Sequence, residues 1–216
     1  MSVENELKKI FRDPDKETMD GVLVVGGRLT VDLLVCAYEN GVFPWPHEGY
    51  PMLWFCPDDR GVINFDELHI PRSFQKWLRK NEARYVISMN SRFSEVLAGC
   101  KSQVRKGQQG TWITPEIEKV YNELFQSGHA FSLEVQRDGN LVGGIYGVQS
   151  PQYFSCESMF HSEDNVSKLA LLSLIRKLKE SGVSWLDIQM VTSVCESFGG
   201  KYISKNNFLQ RINQKK

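Results

Sequence analysis

The stretch FSLEVQRDGNLVGGIYGV, residues 131–148, decides how the central part of the chain folds. Two apolar runs flank Asp138-Gly139, a dipeptide that favours a tight turn between antiparallel strands. The next apolar run, YFSCESMF at residues 153–160, is typical of a third strand. Residues 131–160 therefore predict a β-hairpin that is extended by a third strand.

Helices are predicted on both sides of these strands. Thr114-Pro115 is typical of a helix start, and apolar residues then recur at helical spacing until Gly128. VSKLALLSLIRKLKESG, residues 166–182, carries an apolar stripe and ends in glycine, and VSWLDIQMV, residues 183–191, predicts another strand. The order helix, three strands, helix, strand indicates an α+β domain with a mixed sheet.

The N-terminal quarter has a different character. FPWPHEGYPMLWFCPDD, residues 43–59, holds four prolines and cannot form one regular element. Its aromatic residues predict either a small core, which we favour, or a surface that stacks on bases; they are Trp45, Tyr50, Trp54 and Phe55. We expect a small N-terminal α/β domain over residues 1–62 and a larger domain over residues 63–216.

Composition limits the classes of function. The chain has 26 basic and 26 acidic residues, so any grip on nucleic acid must be local. Five scattered cysteines without a CxxC pair, and four histidines without metal-ligand spacing, argue for a reducing compartment and against a zinc site. No apolar run is long enough to span a bilayer, and no signal peptide is recognised. We therefore expect a cytoplasmic protein.

A local concentration of positive charge lies in residues 69–84. Arg72, Lys76, Arg79 and Lys80, here termed the basic stripe, recur at spacings that place them on one side of a helix. The pattern predicts either a solvated helix face or a phosphate-binding patch. Residues 101–106 (KSQVRK) add further positive charge.

Three polar side chains occur where strands should be apolar. In residues 183–191 side chains alternate, so Asp187 and Gln189 share one face, opposite Leu186. Glu157 lies in the middle of the third strand, where an unpaired buried charge costs several kcal/mol or more. The three could meet at the sheet centre and bind a cationic amine, or they could form an internal hydrogen-bond network or a water-facing edge.

Short motifs along residues 20–212 resemble those of leucyl/phenylalanyl-tRNA–protein transferases. They are GG at 26–27, AYENGVFPW at 37–45, WFCPDDRG at 54–61, LHIPRS at 68–73, GTWIT at 110–114, GHAFSLEV at 128–135, LVGGIYGV at 141–148, ESMF at 157–160, NVSK at 165–168 and DIQ at 187–189. Each motif alone is weak, but their shared order and spacing is specific.

The resemblance implies a two-domain bacterial cytoplasmic enzyme, whose larger C-terminal domain has a GCN5-type acetyltransferase-like (GNAT-like) fold, with no metal or small-molecule cofactor. Such enzymes transfer Leu or Phe, less often Met, from its tRNA to a protein with an N-terminal Arg or Lys. The product is a degradation signal of the N-end rule pathway. The implied partners are aminoacyl-tRNA and the acceptor protein, and we expect a monomer without membrane association.

The resemblance also implies roles for individual residues. Gln189 would hold the attacking α-amine or the aminoacyl group, Asp187 would polarise or orient Gln189, and Glu157 would meet the α-ammonium of the bound Leu or Phe. Trp112 would line the tRNA 3′ end or the peptide groove, and the basic stripe would contact the tRNA acceptor. The implied apolar pocket consists of Ile145, Phe154, Met159, Leu171, Leu174, Leu178 and Leu186.

The chain also departs from the pattern of the family it resembles. Val194 stands where most members carry a histidine, and SFGGKYISK at residues 197–205 lacks an arginine. Two alternatives stay open: an acyl-CoA-dependent N-acetyltransferase on the same fold, and a non-catalytic tRNA-binding paralogue. The first should carry a pyrophosphate-binding run of the form [QR]xxGx[GA] between a strand and a helix, and we find none.

Overall fold

The computed structural model describes residues 3–14, 20–47, 49–104 and 111–214. The helices in these ranges are α1 Val3–Phe11, α2 Val31–Glu39, α3 Arg72–Asn81, α4 Phe93–Ser102, α5 Pro115–Gln126, α6 Val166–Glu180, α7 Ser193–Ser197 and α8 Lys205–Asn213. The strands are β1 Val22–Val25, β2 Phe43–Pro44, β3 Leu53–Phe55, β4 Asp59–Asn64, β5 Val86–Met89, β6 Ala130–Arg137, β7 Asn140–Gln149, β8 Phe154–His161, β9 Trp185–Gln189 and β10 Lys201–Ser204.

The local signals of the central stretch act as predicted. Asp138 and Gly139 both have positive φ, 51° and 79°, as the tight turn between β6 and β7 requires. Thr114 caps α5 by accepting a hydrogen bond from the Ile117 amide at 3.2 Å, with Pro115 at the first helical position. The predicted hairpin, third strand and flanking helices are confirmed.

One seven-stranded sheet forms the larger part of the molecule, with the strand order β10-β4-β9-β8-β7-β6-β5. Its neighbouring strands are antiparallel, except that β8 and β9 are parallel. This parallel pair meets at a single position, Ser155 opposite Asp187. The predicted α+β class with a mixed sheet is confirmed.

Helices cover both faces of this sheet. Helix α6 packs on one face of β6, β7 and β8, and helices α4 and α5 pack on the other. A Cβ atom added at Gly143 would lie 2.4 Å from Val166 of α6, and one added at Gly144 would lie 2.9 Å from Val96 of α4. The paired glycines therefore let the two helices approach the sheet closely.

The N-terminal part forms its own small antiparallel sheet, in the order β1-β3-β2, with α1 and α2 packed beside it. Trp54 is fully buried there, against Phe11, and its indole N–H donates to the Gly26 carbonyl at 3.0 Å. The expected aromatic core is thus correct for Trp54. It is wrong for Tyr50, which is 71 % exposed because it lies in an irregular turn away from the sheet.

Strand β4 bears on where the two parts divide. Strand β4 begins at Asp59 and lies inside the seven-stranded sheet, between β10 and β9. A boundary after residue 62 would cut this strand, and we propose that the division lies before Asp59. Of the helices in the described ranges, none is both long and apolar enough to cross a lipid bilayer.

Candidate active site

A cavity of about 640 Å³ opens where β8 and β9 run on beyond their single paired position. One wall comes from β8 and β9, another from the first turns of α6, and a third from the N-terminal part. The lining residues are Phe43, Pro44, Trp45, Gln103, Val104, Trp112, Ile145, Cys156, Glu157, Ser158, Met159, His161, Ser167, Leu171, Ile188, Gln189, Met190, Thr192, Val194 and Cys195. The cavity is therefore mainly apolar, with a small polar corner.

A β-bulge in β8 creates the polar corner. Cys156 pairs with Gly147 and Ser158 pairs with Tyr146, so Glu157 is an extra residue between two consecutive pairs. The bulge interrupts the alternation of side chains along the strand. It turns Glu157 into the cavity although the two flanking segments continue in the sheet.

Glu157 accepts hydrogen bonds from two neighbouring side chains. Its Oε1 accepts a hydrogen bond from the Gln189 side-chain amide at 2.9 Å and lies 3.1 Å from the Ser155 hydroxyl. Burial raises the pKa of Glu157 to about 7, against the opposing effect of the nearby polar groups of Tyr38 and Gln189. Near neutral pH this carboxyl therefore exists in both protonation states.

Two tyrosines from different parts of the chain support this carboxyl. The hydroxyls of Tyr38 in α2 and Tyr121 in α5 lie 2.7 Å apart, and both residues are fully buried. Burial raises the pKa of each phenol well above its usual value, and the nearby charge of Glu157 raises it further. Both phenols therefore stay neutral, and Tyr38 of the N-terminal part contributes to the surroundings of the site.

Gln189 has an unusual backbone. Its φ is +55°, and the Met190 amide donates to the Ile188 carbonyl at 2.5 Å, so Gln189 is the centre of a three-residue turn. A positive φ is strained for a residue with a side chain. The turn ends β9 and directs the side-chain amide of Gln189 toward Glu157.

Asp187 is completely buried and is not among the residues that line the cavity. Its carboxylate receives a bidentate pair from Arg60, at 2.8 Å to Nε and 2.7 Å to Nη2. It also accepts from the Gln189 backbone amide at 3.0 Å and lies 2.8 Å from the Ser155 hydroxyl. Asp187 thus contacts the main chain of Gln189 and orients it, while the Gln189 side chain bonds to Glu157.

The structure brings together the three predicted polar residues and part of the predicted pocket. Trp112, Ile145, Met159 and Leu171 line the cavity. The other four predicted pocket residues lie in the packed core instead and do not line it; they are Phe154, Leu174, Leu178 and Leu186. Only the first two turns of α6 reach the cavity, and later positions on that helix are covered by the sheet.

Sequence reasoning missed several residues of the site. The role of Arg60 could not be predicted, because a single basic residue before an apolar run does not indicate its partner. That partner, Asp187, is 127 positions away in the chain. Phe43 and Pro44 form a wall of the cavity, although residues 43–59 gave only an aromatic-rich, irregular signal. Val194, noted as a departure, is a lining residue.

The basic stripe lies on α3, with its apolar side, Phe74 and Leu78, packed into the core. All four basic side chains are exposed, and within the described ranges none of them forms an ion pair. In the second basic segment, Lys101 pairs with Glu118 at 2.6 Å. Arg105 and Lys106, and Gly110 of the GTWIT motif, lie outside the described residues.

Comparison with known proteins identifies the class. A family model described as "Leucyl/phenylalanyl-tRNA protein transferase" matches residues 62–213, and the model of its N-terminal domain matches residues 27–58. The protein is an aminoacyltransferase, in keeping with an apolar cavity that has an amide and a carboxyl at one corner. More particularly, the chain belongs to the leucyl/phenylalanyl-tRNA protein transferase family.

Named relatives match nearly the whole chain. The leucyl/phenylalanyl-tRNA–protein transferase of Shewanella baltica (strain OS223) is 40 % identical over 99 % of this chain and 90 % of its own length. That of Pseudomonas entomophila (strain L48) is 41 % identical over 95 % of this chain and 88 % of its own length. Aminoacyl-tRNA as donor and a protein as acceptor are therefore the substrates of this enzyme.

Solved structures overlap less closely. The GCN5-related N-acetyltransferase-like protein from Streptococcus suis 89/1591 is 16 % identical, with a TM-score of 0.39, over 80 % of this chain and 64 % of that chain. An overlap of this size carries no argument about function, which rests on the family match and the site.

Proposed function

We propose that this enzyme transfers Leu or Phe, less often Met, from its tRNA to an N-terminal Arg or Lys of an acceptor protein. The observation that carries the proposal is the combination of an apolar cavity with the Glu157 and Gln189 corner. The product would be a degradation signal of the N-end rule pathway. We further propose that the enzyme acts in the cytoplasm as a monomer.

The apolar part of the cavity would hold the side chain of the transferred amino acid. Ile145, Met159 and Leu171 line this part, and the side chains of Ile188 and Val194 border it as well. A volume of about 640 Å³ is ample for a Leu or Phe side chain together with neighbouring parts of the two substrates. Burial of the side chain supplies the binding energy that selects apolar amino acids.

Glu157 would pair with the α-ammonium group of the bound aminoacyl residue. This group is the one cation that every aminoacyl-tRNA carries next to the reacting ester. A carboxyl that is costly to ionise in the free enzyme becomes compensated once a cation binds beside it. The proposed pairing explains why a titratable group stands in an otherwise apolar wall.

Gln189 would hold the attacking α-amine of the acceptor next to the ester carbonyl. The new bond joins the amine nitrogen to the carbonyl carbon, the ester bond breaks, and the terminal ribose hydroxyl of the tRNA leaves with a proton. The ester is already activated, so the enzyme contributes chiefly position and charge stabilisation. A neutral amide cannot take up the proton of the amine. Asp187 contacts the backbone amide of Gln189 and not its side chain. We therefore propose a positioning role for both residues.

The tRNA would approach across two surfaces. Trp45 and Trp112 line the cavity and have flat rings of the kind that stack on unpaired bases, here the 3′ end. The exposed basic stripe on α3 would contact the phosphates of the acceptor arm.

One incubation distinguishes the proposed function from both alternatives. The enzyme is given Phe-tRNA, acetyl-CoA and a peptide that begins with Arg, and the peptide is weighed by mass spectrometry. Addition of a phenylalanyl group supports the proposal, addition of an acetyl group supports the acetyltransferase, and an unchanged peptide supports a non-catalytic tRNA-binding protein. A peptide with an acetylated N-terminus and one that begins with Glu serve as controls, and neither should be modified.

Glu157→Gln tests the proposed role of the carboxyl. We expect the variant to lose about 1–3 kcal/mol of affinity for an aminoacyl-adenosine analogue with a free α-amine, the worth of a charged hydrogen bond. An analogue with hydrogen in place of the α-amine should bind both enzymes alike. Equal losses for the two analogues would show that Glu157 has only a structural role.

A further inference from the structure

We infer that Arg60 and Gly61 of β4 are positioning residues, which hold the strained turn at Gln189 in the geometry needed for aminoacyl transfer. The inference rests on the function proposed above, because transfer is what the turn would serve. Neither residue lines the cavity, so both would act through other residues.

The turn at Gln189 needs support from outside. Its positive φ is intrinsically unfavourable for a residue with a side chain, so neighbours must hold it in place. Two contacts with the rest of the protein reach its backbone. The Asp187 carboxylate accepts a hydrogen bond from the Gln189 backbone amide, and Gly61 of β4 pairs with Gln189 across the sheet.

Arg60 fixes the carboxylate that makes the first contact. Both oxygens of Asp187 accept from the guanidinium, one from Nε and the other from Nη2, and this planar fork leaves the carboxylate a single orientation. In that orientation Oδ1 accepts a hydrogen bond from the Gln189 backbone amide, and Oδ2 accepts one from the Ser155 hydroxyl. The guanidinium therefore determines where the turn is anchored.

Arg60 is itself held rigidly. Its guanidinium carbon lies 4.6 Å from the Phe43 ring centre and 4.5 Å from that of Phe208, and its Nη1 donates to the Gly41 carbonyl at 3.1 Å. The side chain is 1 % exposed, so it has no access to a substrate. Its contacts come from the N-terminal part and from α8, so both segments are tied to the position of Gln189.

Gly61 makes the second contact possible. A Cβ atom at this position would lie 3.0 Å from the Met190 carbonyl carbon, 3.1 Å from the Val191 nitrogen and 3.2 Å from the Gln189 carbonyl carbon. All three atoms belong to the backbone and cannot rotate away. An alanine at position 61 would therefore displace the turn by a few tenths of an ångström and leave the rest of β4 in place.

Steady-state kinetics of Phe transfer to an Arg peptide test the inference. Arg60→Lys keeps the charge but loses the fork, and Gly61→Ala displaces the turn. We expect each to lower kcat by ~10- to 100-fold with KM for both substrates within about twofold of wild type, since small misplacements of reacting groups have large effects on rate. Arg211→Lys is the matched control, because Arg211 also stacks on an aromatic ring, Trp185, but does not contact Asp187. The activity of this variant should stay near that of the wild type.

Chemical rescue separates positioning from a general structural role. Arg60→Ala leaves a guanidinium-sized space between two aromatic rings, and added guanidinium ion at non-denaturing concentration should restore kcat by about tenfold or more, whereas urea should not. Rates within about twofold of wild type in Arg60→Lys and Gly61→Ala would overturn the inference. So would losses that only follow the folded fraction seen by circular dichroism. If Arg60→Ala does not fold, the two milder variants decide.

A measurement without substrate keeps this inference distinct from the proposed function. The backbone amide of Gln189 donates a hydrogen bond to Asp187. Its hydrogen exchange should be at least about tenfold faster in Arg60→Lys than in wild type, and unchanged in Arg211→Lys. Lack of transfer by the wild-type enzyme would refute the proposed function alone. Unchanged exchange in Arg60→Lys would refute the positioning role even if wild-type transfer is robust.

Discussion

Replacing Glu157 by Gln should stabilise the protein at and above neutral pH, and by much less under acidic conditions. The carboxyl titrates near pH 7 in the folded protein because burial disfavours its charged form. In the unfolded chain it should titrate near its ordinary value of 4.5. Between these values the unfolded chain has released the proton and the folded protein still holds it. Stability therefore falls as pH rises through this window and becomes level above it.

The size of the effect follows from the two pKa values. Their difference corresponds to at most about 3.5 kcal/mol in the free energy of unfolding, since each pH unit contributes about 1.4 kcal/mol. Solvent reaches this half-buried side chain through the cavity and screens the charge. We expect the stability of Glu157→Gln relative to wild type to increase by about 1–2 kcal/mol from acidic to alkaline pH.

Urea unfolding, followed by circular dichroism at several pH values from about 5 to about 8.5, measures this difference. Glu180→Gln is the control, because it makes the same chemical change at an exposed position. A constant difference between Glu157→Gln and wild type over the whole range would refute the reasoning. It would mean that the hydrogen-bond donors around Glu157 compensate fully for its burial.

Three further outcomes are expected from the proposed function. Gln189→Ala should lower transfer by ~100-fold or more and leave charged-tRNA binding largely intact, as lost positioning typically does; near-wild-type turnover would exclude the assigned role. Replacing Arg79 and Lys80 by Ala should weaken binding of Phe-tRNA and Leu-tRNA alike and flatten the slope of log affinity against log salt by about one unit per lost phosphate contact; with an unchanged slope, the basic stripe is an ordinary solvated face. Met159→Ala should reduce the preference for Leu over smaller amino acids by about 1–3 kcal/mol, measured as the ratio of kcat/KM values, and an unaltered ratio would remove Met159 from the specificity pocket.

The sequence determined those features that depend on near neighbours. The turn at Asp138-Gly139, the cap at Thr114 and the ends of α5 and α6 each follow from two or three adjacent residues, because backbone sterics and local hydrogen bonds act over such distances. The unexpected polarity of Glu157, Asp187 and Gln189 was also visible in the sequence. Strand periodicity makes a carboxylate or an amide conspicuous in an otherwise apolar run.

Tertiary structure decided how those polar residues are used. A bulge turned Glu157 into the cavity, and a strained turn directed Gln189 toward it, although no local pattern announces either. Asp187 received as its partner an arginine 127 positions earlier in the chain.

The division between pocket and core was likewise beyond the sequence. Leu171 lines the cavity and Leu174, on the same helix, is enclosed by the core, because the cavity reaches only the first two turns of α6. Apolar residues have the same helical spacing in both settings. Whether a residue lines the cavity or lies in the core depends on where strands β8 and β9 diverge. That point is set by contacts between segments distant in the chain.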